Sequence, residues 1–331
     1  MSKTIVVVTD NLKDQINGVA TTFNNIEQYA IEDGYDIKFI EPSRFKYFDC
    51  PGYPQVKLSI PFGIGKIISD INPDYIHIAT EGPLGLAARL WCNKNKLKYN
   101  TSYHTKFPEF IKEMYRIPEC ITYAYVRWFH KDSEKVLTTT QTMVNELIDN
   151  GFKQIVVPWT RGVDRNIFKP EYRQEHSEPV LLSVGRISKE KNLDVFCSLP
   201  LPYKKIVVGD GPYLEELKQK YPDVEFVGKK IGVELAEYYA NADVFVFTSK
   251  VDTFGIVIIE SLSVGTPVAA YQVPGPIDIL EQGITGYMGN DLVESIEKCL
   301  SLDRTIVEYH SHKWSWQNCW KVFQSHLILS K

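Results

Sequence analysis

The sequence predicts an α/β protein built from two doubly wound, Rossmann-like domains that face each other across a cleft. Short apolar runs rich in β-branched residues alternate with longer amphipathic segments, and this alternation occurs twice along the chain. The length of 331 residues agrees with two domains, each able to bury a core. A formal net charge of −4 argues against a protein that binds nucleic acid.

The first half begins with the run TIVVVTD (Thr4–Asp10), whose continuous apolar character is typical of a strand buried on both faces. The same reasoning predicts the remaining elements of this half. The strands are expected at 36–42, 74–80, 99–105 and 135–140, and the helices at 20–33, 61–71, 83–96 and 141–150.

The pattern then restarts, with strands expected at 178–187, 204–211, 224–228, 242–249 and 266–272. Between the two series lies KPEYRQEHSEP (Lys169–Pro179), which has proline near both ends, many charges and no apolar periodicity. Such a segment is typical of a linker. The predicted domains are therefore residues 1–170 and 171–312.

Ligands of doubly wound sheets bind outside the carboxyl ends of the strands, so residues that follow strands are candidate site residues. Asp252 and Glu260 flank Thr253-Phe254-Gly255 after the strand at 242–249. Gly255 permits a close backbone approach, and a helix that starts at Ile256 would direct its N–H groups at an anion. Glu260 has apolar neighbours and can accept hydrogen bonds from two hydroxyls of a nucleotide ribose.

Three further strand ends carry polar groups. GRISKEKN (Gly185–Asn192) places Arg186 and Lys191 where a diphosphate would lie. NGVATT (Asn17–Thr22) offers backbone amides at a helix start, and His104 follows another strand, where it can hydrogen-bond a sugar. The turn GDGP after the strand at 204–211 is interpreted as mainly structural.

Several sequence patterns are absent. There is no G-x-G-x-x-G, which disfavours a dinucleotide oxidoreductase, and no G-x-x-x-x-G-K-[ST]. We find no D-x-D, no H-E-x-x-H and no clustered Cys/His pair, so neither a metal nor another cofactor is expected. No export signal or membrane-spanning run is recognised, so the expected location is the cytoplasm, and a two-domain solute-binding protein is disfavoured.

Taken together, the sequence motifs of this chain resemble those of the retaining glycosyltransferases of family 4, which have the two-domain GT-B architecture. The resemblance extends over nearly the full length and is strongest to the branch of GDP-mannose-dependent α-mannosyltransferases and sulfolipid or diacylglycerol glycosyltransferases. The strings that carry it are NGVATT, HIATEGPLG (His77–Gly85), SYHTKFPEF (Ser102–Phe110), TRGVDRNIF (Thr160–Phe168), GRISKEKN, GDGP and DTFGIVIIESLSVGTPV.

The resemblance implies roles for individual residues. Asp252 stands where the family has the first glutamate of E-x7-E, which contacts the transferred sugar, and it is one methylene shorter. Glu260 would bind the ribose and Gly18 would lie beneath the diphosphate. The implied catalytic residues are His104, Arg186, Lys191 and Asp252. The implied donor-binding residues are Gly18, Arg186, Lys191, Asp252, Phe254, Gly255, Ile256 and Glu260.

The implied reaction moves a hexosyl group, mannose or glucose, from a nucleotide-diphospho-sugar to a hydroxyl of a glycan or lipid. It retains the anomeric configuration and needs no metal. The first domain would take the acceptor and the second the donor, and a helix within residues 313–331 would cross back to the first. Two alternatives stay open: a nucleotide-sugar-binding protein of reduced or no activity, as Asp252 suggests, and a nucleotide-sugar 2-epimerase.

Residues 89–135 form a basic segment, with ten Lys or Arg residues against five acidic ones and interleaved aromatic residues. One interpretation is a solvated basic face over buried core aromatics. The other is a peripheral contact with the inner face of an anionic membrane and its lipid acceptor. The first is favoured from the sequence alone, and the second stays open.

Overall fold

The computed structural model describes residues 2–15, 17–50, 53–174 and 177–331. The chain forms two compact units, Met1–Arg161 with Trp316–Lys331, and Gly162–Ser315. The predicted linker therefore lies inside the second unit. Arg173 holds part of it there, because its guanidinium donates to the Asn241 carbonyl at 3.1 Å and to the Asp243 carboxylate at 2.6 Å.

The first unit contains a parallel sheet, six-stranded in the described residues, with strand order β2-β1-β5-β6-β7-β8, and an antiparallel hairpin of β3 and β4. Ile5 to Val8 in β1 are fully buried, as expected for a central strand covered on both faces. The strands are β1 (Lys3–Val8), β2 (Tyr35–Ile40), β3 (Tyr47–Cys50), β4 (Tyr53–Ser59), β5 (Tyr75–Ile78), β6 (Asn100–Tyr103), β7 (Lys135–Thr138) and β8 (Ile155–Pro158).

Helices lie in the connections between the parallel strands, because a parallel pair needs a long crossover connection. The Asn17 side chain caps the first of them by accepting from the N–H groups of Val19 and Ala20, both at 3.0 Å. The helices are α1 (Gly18–Glu32), α2 (Ile64–Ile71), α3 (Pro83–Lys94), α4 (Phe107–Tyr115), α5 (Glu119–His130) and α6 (Gln141–Asp149).

The second unit repeats this plan, with strand order β11-β10-β9-β12-β13-β14 and parallel pairing throughout. Alternate residues of its strands enter two different hydrophobic clusters, for example Leu182 and Phe245 on one face and Leu181 and Val244 on the other. The strands are β9 (Val180–Val184), β10 (Lys204–Val208), β11 (Glu225–Phe226), β12 (Val244–Phe247), β13 (Val268–Ala270) and β14 (Gly286–Met288). The helices are α7 (Leu193–Cys197), α8 (Leu214–Lys220), α9 (Gly232–Asn241), α10 (Ile256–Ser263), α11 (Pro276–Ile279), α12 (Leu292–Cys299) and α13 (Arg304–His310).

The last helix, α14 (Trp316–Ser325), belongs to the first unit and packs on α1. Its apolar stripe is buried: Trp316, Cys319, Trp320 and Phe323 are each at most 5% exposed. The Trp320 indole N–H donates to Asp33 at 2.7 Å, and the Trp159 indole N–H donates to the Cys319 carbonyl at 3.0 Å. The helix is therefore part of the first unit's core.

The predicted fold class, α/β with two Rossmann-like sheets, is confirmed. Within the described residues, no helix is long and apolar enough to span a bilayer.

Candidate functional site

Two loops at the carboxyl edge of the second sheet are held together by glycines. A Cβ on Gly209 would lie 1.8 Å from the Gly185 carbonyl oxygen, and a Cβ on Gly211 would lie 2.2 Å from that of Ile187. Both glycines are needed for this close approach, so the GDGP turn supports the neighbouring loop. That loop carries Arg186, which is half-buried directly after β9.

Lys191 and Asp252, two of the predicted site residues, form an ion pair. The Lys191 Nζ lies 2.6 Å from one Asp252 carboxylate oxygen and 2.9 Å from the other. The Lys191 backbone is fixed to the end of β12, because its carbonyl accepts from the Thr248 hydroxyl at 2.8 Å. Both side chains keep about a quarter of their surface exposed, 27% and 23%, so an incoming ligand can reach them.

The segment from Phe254 to Ile256 presents main chain. The Phe254 ring is buried edge-on against Trp314, with ring centroids 5.5 Å apart. Gly255 has φ 87°, a left-handed conformation that favours glycine, and α10 begins at the next residue, Ile256. The first N–H groups of α10 have no partner within the helix and are suited to an anion.

Glu260 lies one turn into α10 and is half-buried. The fully buried Tyr239 donates its hydroxyl to one Glu260 carboxylate oxygen at 2.9 Å. Burial raises the pKa of Glu260 to about 7, although the hydrogen bond from Tyr239 opposes the rise. Nothing in the sequence indicated Tyr239, which is 21 residues away and comes from α9.

Two predicted residues belong to the first unit. Gly18 is the exposed first residue of α1, next to the capping residue Asn17. His104 follows β6 and is half-buried. The Phe23 ring of α1 lies edge-on to the His104 ring, with centroids 6.4 Å apart.

Arg161, which follows β8, contacts His104 directly. Its guanidinium donates to His104 Nδ1 at 2.8 Å. Burial, and then the charge of Arg161, hold the pKa of His104 well below its usual range. Arg161 is part of the string TRGVDRNIF, and the structure directs its side chain at His104.

Asp10 is a buried carboxylate that the sequence analysis did not single out. It accepts from the backbone N–H of Leu84 at 2.8 Å, from that of Gly85 at 3.4 Å, and from the Thr80 hydroxyl at 2.6 Å. Burial raises the pKa of Asp10 to about 6. This carboxylate caps the start of α3, and its three donors belong to the string HIATEGPLG. That string therefore has a structural role at the start of α3.

In the described part of the chain, no three His, Cys, Asp or Glu side chains are grouped so that they could hold a metal ion.

Two family models match the chain. "Glycosyltransferase Family 4" matches residues 16–166, and "Glycosyl transferases group 1" matches residues 164–305. The two matches meet close to the junction of the two structural units.

Several relatives of known name are similar over most of the chain. The sulfoquinovosyl transferase SQD2 of Arabidopsis thaliana is 30% identical over 88% of this chain, which spans 64% of that protein's length. A GDP-mannose-dependent alpha-mannosyltransferase of Corynebacterium glutamicum is 26% identical over 86% of this chain and 76% of its own. The alpha-monoglucosyldiacylglycerol synthase of Streptococcus pneumoniae is 29% identical, with 89% and 78% covered.

Among solved structures, the sucrose-phosphate synthase of Thermosynechococcus elongatus superimposes with a TM-score of 0.77 over 98% of both chains. The identity is 16%, so this likeness concerns the fold alone. It agrees with the predicted two-domain architecture.

Proposed function

The chain belongs to the family 4 glycosyltransferases, and on that premise we propose that it moves a hexosyl group from a nucleotide-diphospho-sugar to a hydroxyl of a glycan or lipid. Transfer proceeds with retention of configuration and without a metal. The relatives named above are transferases or a synthase, which favours transfer over the epimerase alternative.

The observation that carries the proposal is the arrangement at the carboxyl edge of the second sheet. A cation for the diphosphate, Lys191, contacts an acid for the sugar, Asp252, at 2.6 Å. The start of α10 and its Glu260 supply N–H donors and a ribose acceptor in the same unit. These protein groups match the three parts of a nucleotide-diphospho-sugar, which are a ribose, a diphosphate and a hexose.

In the proposed reaction, the bond between the anomeric carbon and the diphosphate oxygen breaks. Arg186, Lys191 and the first N–H groups of α10 stabilise the charge that develops on the departing diphosphate. The acceptor hydroxyl attacks from the same face, and its oxygen forms the new bond to the anomeric carbon. Its proton passes to the departing phosphate oxygen, so the chain needs no separate base.

Thermal unfolding in the presence of UDP, GDP, UDP-glucose, GDP-mannose or NAD tests the donor class. We expect one nucleoside diphosphate and its sugar conjugate to raise the Tm, because a ligand at ~100 times its Kd stabilises by ~2.7 kcal/mol. Turnover of that conjugate with glycan and diacylglycerol acceptors should persist in EDTA and yield the retained anomer. A Tm shift with NAD alone, or turnover abolished by EDTA, would contradict the proposal.

We further propose that a corner between α4 and α5 contacts an anionic membrane, which would bring a lipid acceptor to the enzyme. Part of the basic segment 89–135 cannot contact a membrane, because Arg89 is buried and paired with Asp132, and Tyr123 and Phe129 are core residues. The corner consists of the exposed or largely exposed side chains Lys112, Tyr115, Arg116, Ile117 and Ile121.

The double variant Arg116→Asp/Ile121→Ser is expected to weaken binding to vesicles that contain phosphatidylglycerol by at least about tenfold. A surface basic residue contributes ~1 kcal/mol and a buried isoleucine ~1.5–3 kcal/mol. The matched control is Lys96→Asp/Ile31→Ser, because Lys96 shares the left-handed backbone of Arg116 and Ile31 is 62% exposed. Equal sedimentation of both variants with the vesicles would contradict the membrane contact.

A further inference from the structure

Arg161 is a buried cation without a buried counter-ion. Its side chain is 3% exposed, and among the described residues no carboxylate forms an ion pair with it; its hydrogen bonds go to two carbonyls and an imidazole. Removing a cation from water without such a partner costs several kcal/mol. A charge kept in the fold at this cost needs an explanation beyond packing.

The guanidinium is fixed on three sides. One terminal nitrogen donates to the carbonyls of Trp159 at 2.7 Å and Thr160 at 3.0 Å. The other donates to His104 Nδ1 at 2.8 Å. The carbon between them lies 4.8 Å from the centre of the Trp159 ring, which also contacts the His104 ring at 5.6 Å. Arg161 therefore points at His104 through contacts that leave it little freedom.

A guanidinium can donate hydrogen bonds but cannot accept them. His104 Nδ1 must therefore carry a lone pair, and the proton of the neutral ring resides on Nε2. A second proton would place two cations within hydrogen-bond distance, in a buried setting where their repulsion is weakly screened. Other groups near the ring include the aromatic side chains of Phe23 and Trp159 and the buried imidazoles of His77 and His130.

We infer that Arg161 is a positioning residue that holds His104 as the neutral, Nε2-protonated tautomer, so that this ring offers an N–H donor to the transferred sugar. The contact with a transferred sugar rests on the proposed function, whereas the tautomer of His104 does not. A sugar that loses its diphosphate develops positive charge at the ring. A neutral imidazole can hydrogen-bond a hydroxyl there, whereas an imidazolium would repel the developing charge.

Long-range ¹H–¹⁵N spectra of histidine-labelled protein test the tautomer directly and without turnover. In the wild type we expect His104 to stay neutral with the proton on Nε2 from pH 5.5 to 8.5. In Arg161→Met we expect His104 to titrate within this range, and Arg161→Lys should restore the wild-type spectrum in part. A wild-type ring protonated on Nδ1, or an unchanged spectrum in folded Arg161→Met, would overturn the inference.

Turnover gives a second readout once a donor is known. The quantity to compare is the ratio of wild-type kcat to Arg161→Met kcat at saturating donor. This ratio should be at least about tenfold larger at pH 6 than at pH 8. The matched control is Arg89→Met, because Arg89 is 2% exposed and lies over an indole at 4.1 Å in the same way. Arg89→Met should lower the Tm without changing the pH profile of kcat, and equal profiles in the two variants would overturn the inference. Absence of wild-type turnover with every donor would instead count against the proposed function, and the spectra would still decide the role of Arg161.

Discussion

Replacing Lys191 with methionine is expected to lower kcat about 100- to 1,000-fold, because the diphosphate loses a preorganised positive charge as it departs. Binding of the free nucleoside diphosphate should weaken as well. Asp252→Asn is expected to strengthen binding of the free nucleoside diphosphate, since it removes the carboxylate that neutralises Lys191 at 2.6 Å. Calorimetry with the nucleoside diphosphate and steady-state kinetics with the sugar conjugate measure the two effects.

The matched control for Lys191→Met is Lys218→Met, since Lys218 forms an ion pair with Glu215 in the same unit and is 44% exposed. It should leave both quantities within about twofold of wild type, as surface pairs contribute little. The Lys191 role is wrong if Lys191→Met keeps kcat near the wild-type value while folding normally. A further comparison is Asp252→Glu, which restores the family's usual residue and should keep or raise turnover.

Glu260 should make donor binding depend on pH. If Glu260 binds the ribose as proposed, it accepts the two ribose hydroxyls best when ionised. Burial raises its pKa to about 7 in the free protein. Affinity for the nucleotide sugar should therefore fall by up to about tenfold per pH unit below 7 and level off above about 8. Near pH 7, binding should release a fraction of a proton per nucleotide sugar, because some of the Glu260 carboxyl groups are protonated beforehand. The nucleotide sugar is the suitable ligand, since its diphosphate is a diester and does not titrate in this range.

Calorimetry in buffers of different ionisation enthalpy measures this proton release. Glu260→Gln should abolish it and weaken binding about 10- to 100-fold at pH 8, because hydrogen bonds to a charged group are lost. Glu216→Gln, at a side chain that is 61% exposed, is the control and should change neither quantity. Release of the same number of protons by Glu260→Gln would assign the titration to another group.

The raised pKa of Glu260 also makes the free energy of unfolding depend on pH. The carboxyl of Glu260 binds its proton more tightly when folded than when unfolded, where the pKa is near 4.5. Its contribution to the free energy of unfolding is therefore greatest below about pH 4.5 and is lost as pH rises through 7. Bound nucleotide sugar should offset this loss, because it favours the ionised form.

The sequence was sufficient to predict the fold wherever strands are central. Runs such as Ile5–Val8 are apolar because both faces of the strand are buried, so pattern and environment agree. Of the four edge strands in the described parallel sheets, β2 and β11 were predicted, whereas β8 and β14 were missed. β8 has only the short apolar run Ile155–Pro158, with Ile155 62% exposed, and β14 has three residues, so each is too short to stand out as a strand in the sequence. The hairpin of β3 and β4 was also missed, although the dipeptide Pro51-Gly52 in the sequence is a turn signal.

For the candidate site, sequence spacing was informative within a single loop or helix and uninformative between them. The segment from Asp252 to Glu260 was recognised because its residues are local. The partners that set their chemistry come from elsewhere: Lys191 is 61 residues from Asp252, and Arg161 is 57 residues from His104. Such pairs depend on how strands order themselves in a sheet, which no local pattern encodes.

The placement of α14 makes the first unit discontinuous in sequence, and this affects how the chain is made. Trp320 must reach Asp33, 287 residues earlier, before the core around α1 is complete. At ~5–20 residues per second, a ribosome needs roughly 10 to 30 s to synthesise the intervening second unit. During that interval the nascent first unit exposes the apolar surface that α14 later covers, whereas the second unit is continuous and can finish first. A newly made chain should therefore depend on chaperones that shield the first unit until α14 has been synthesised.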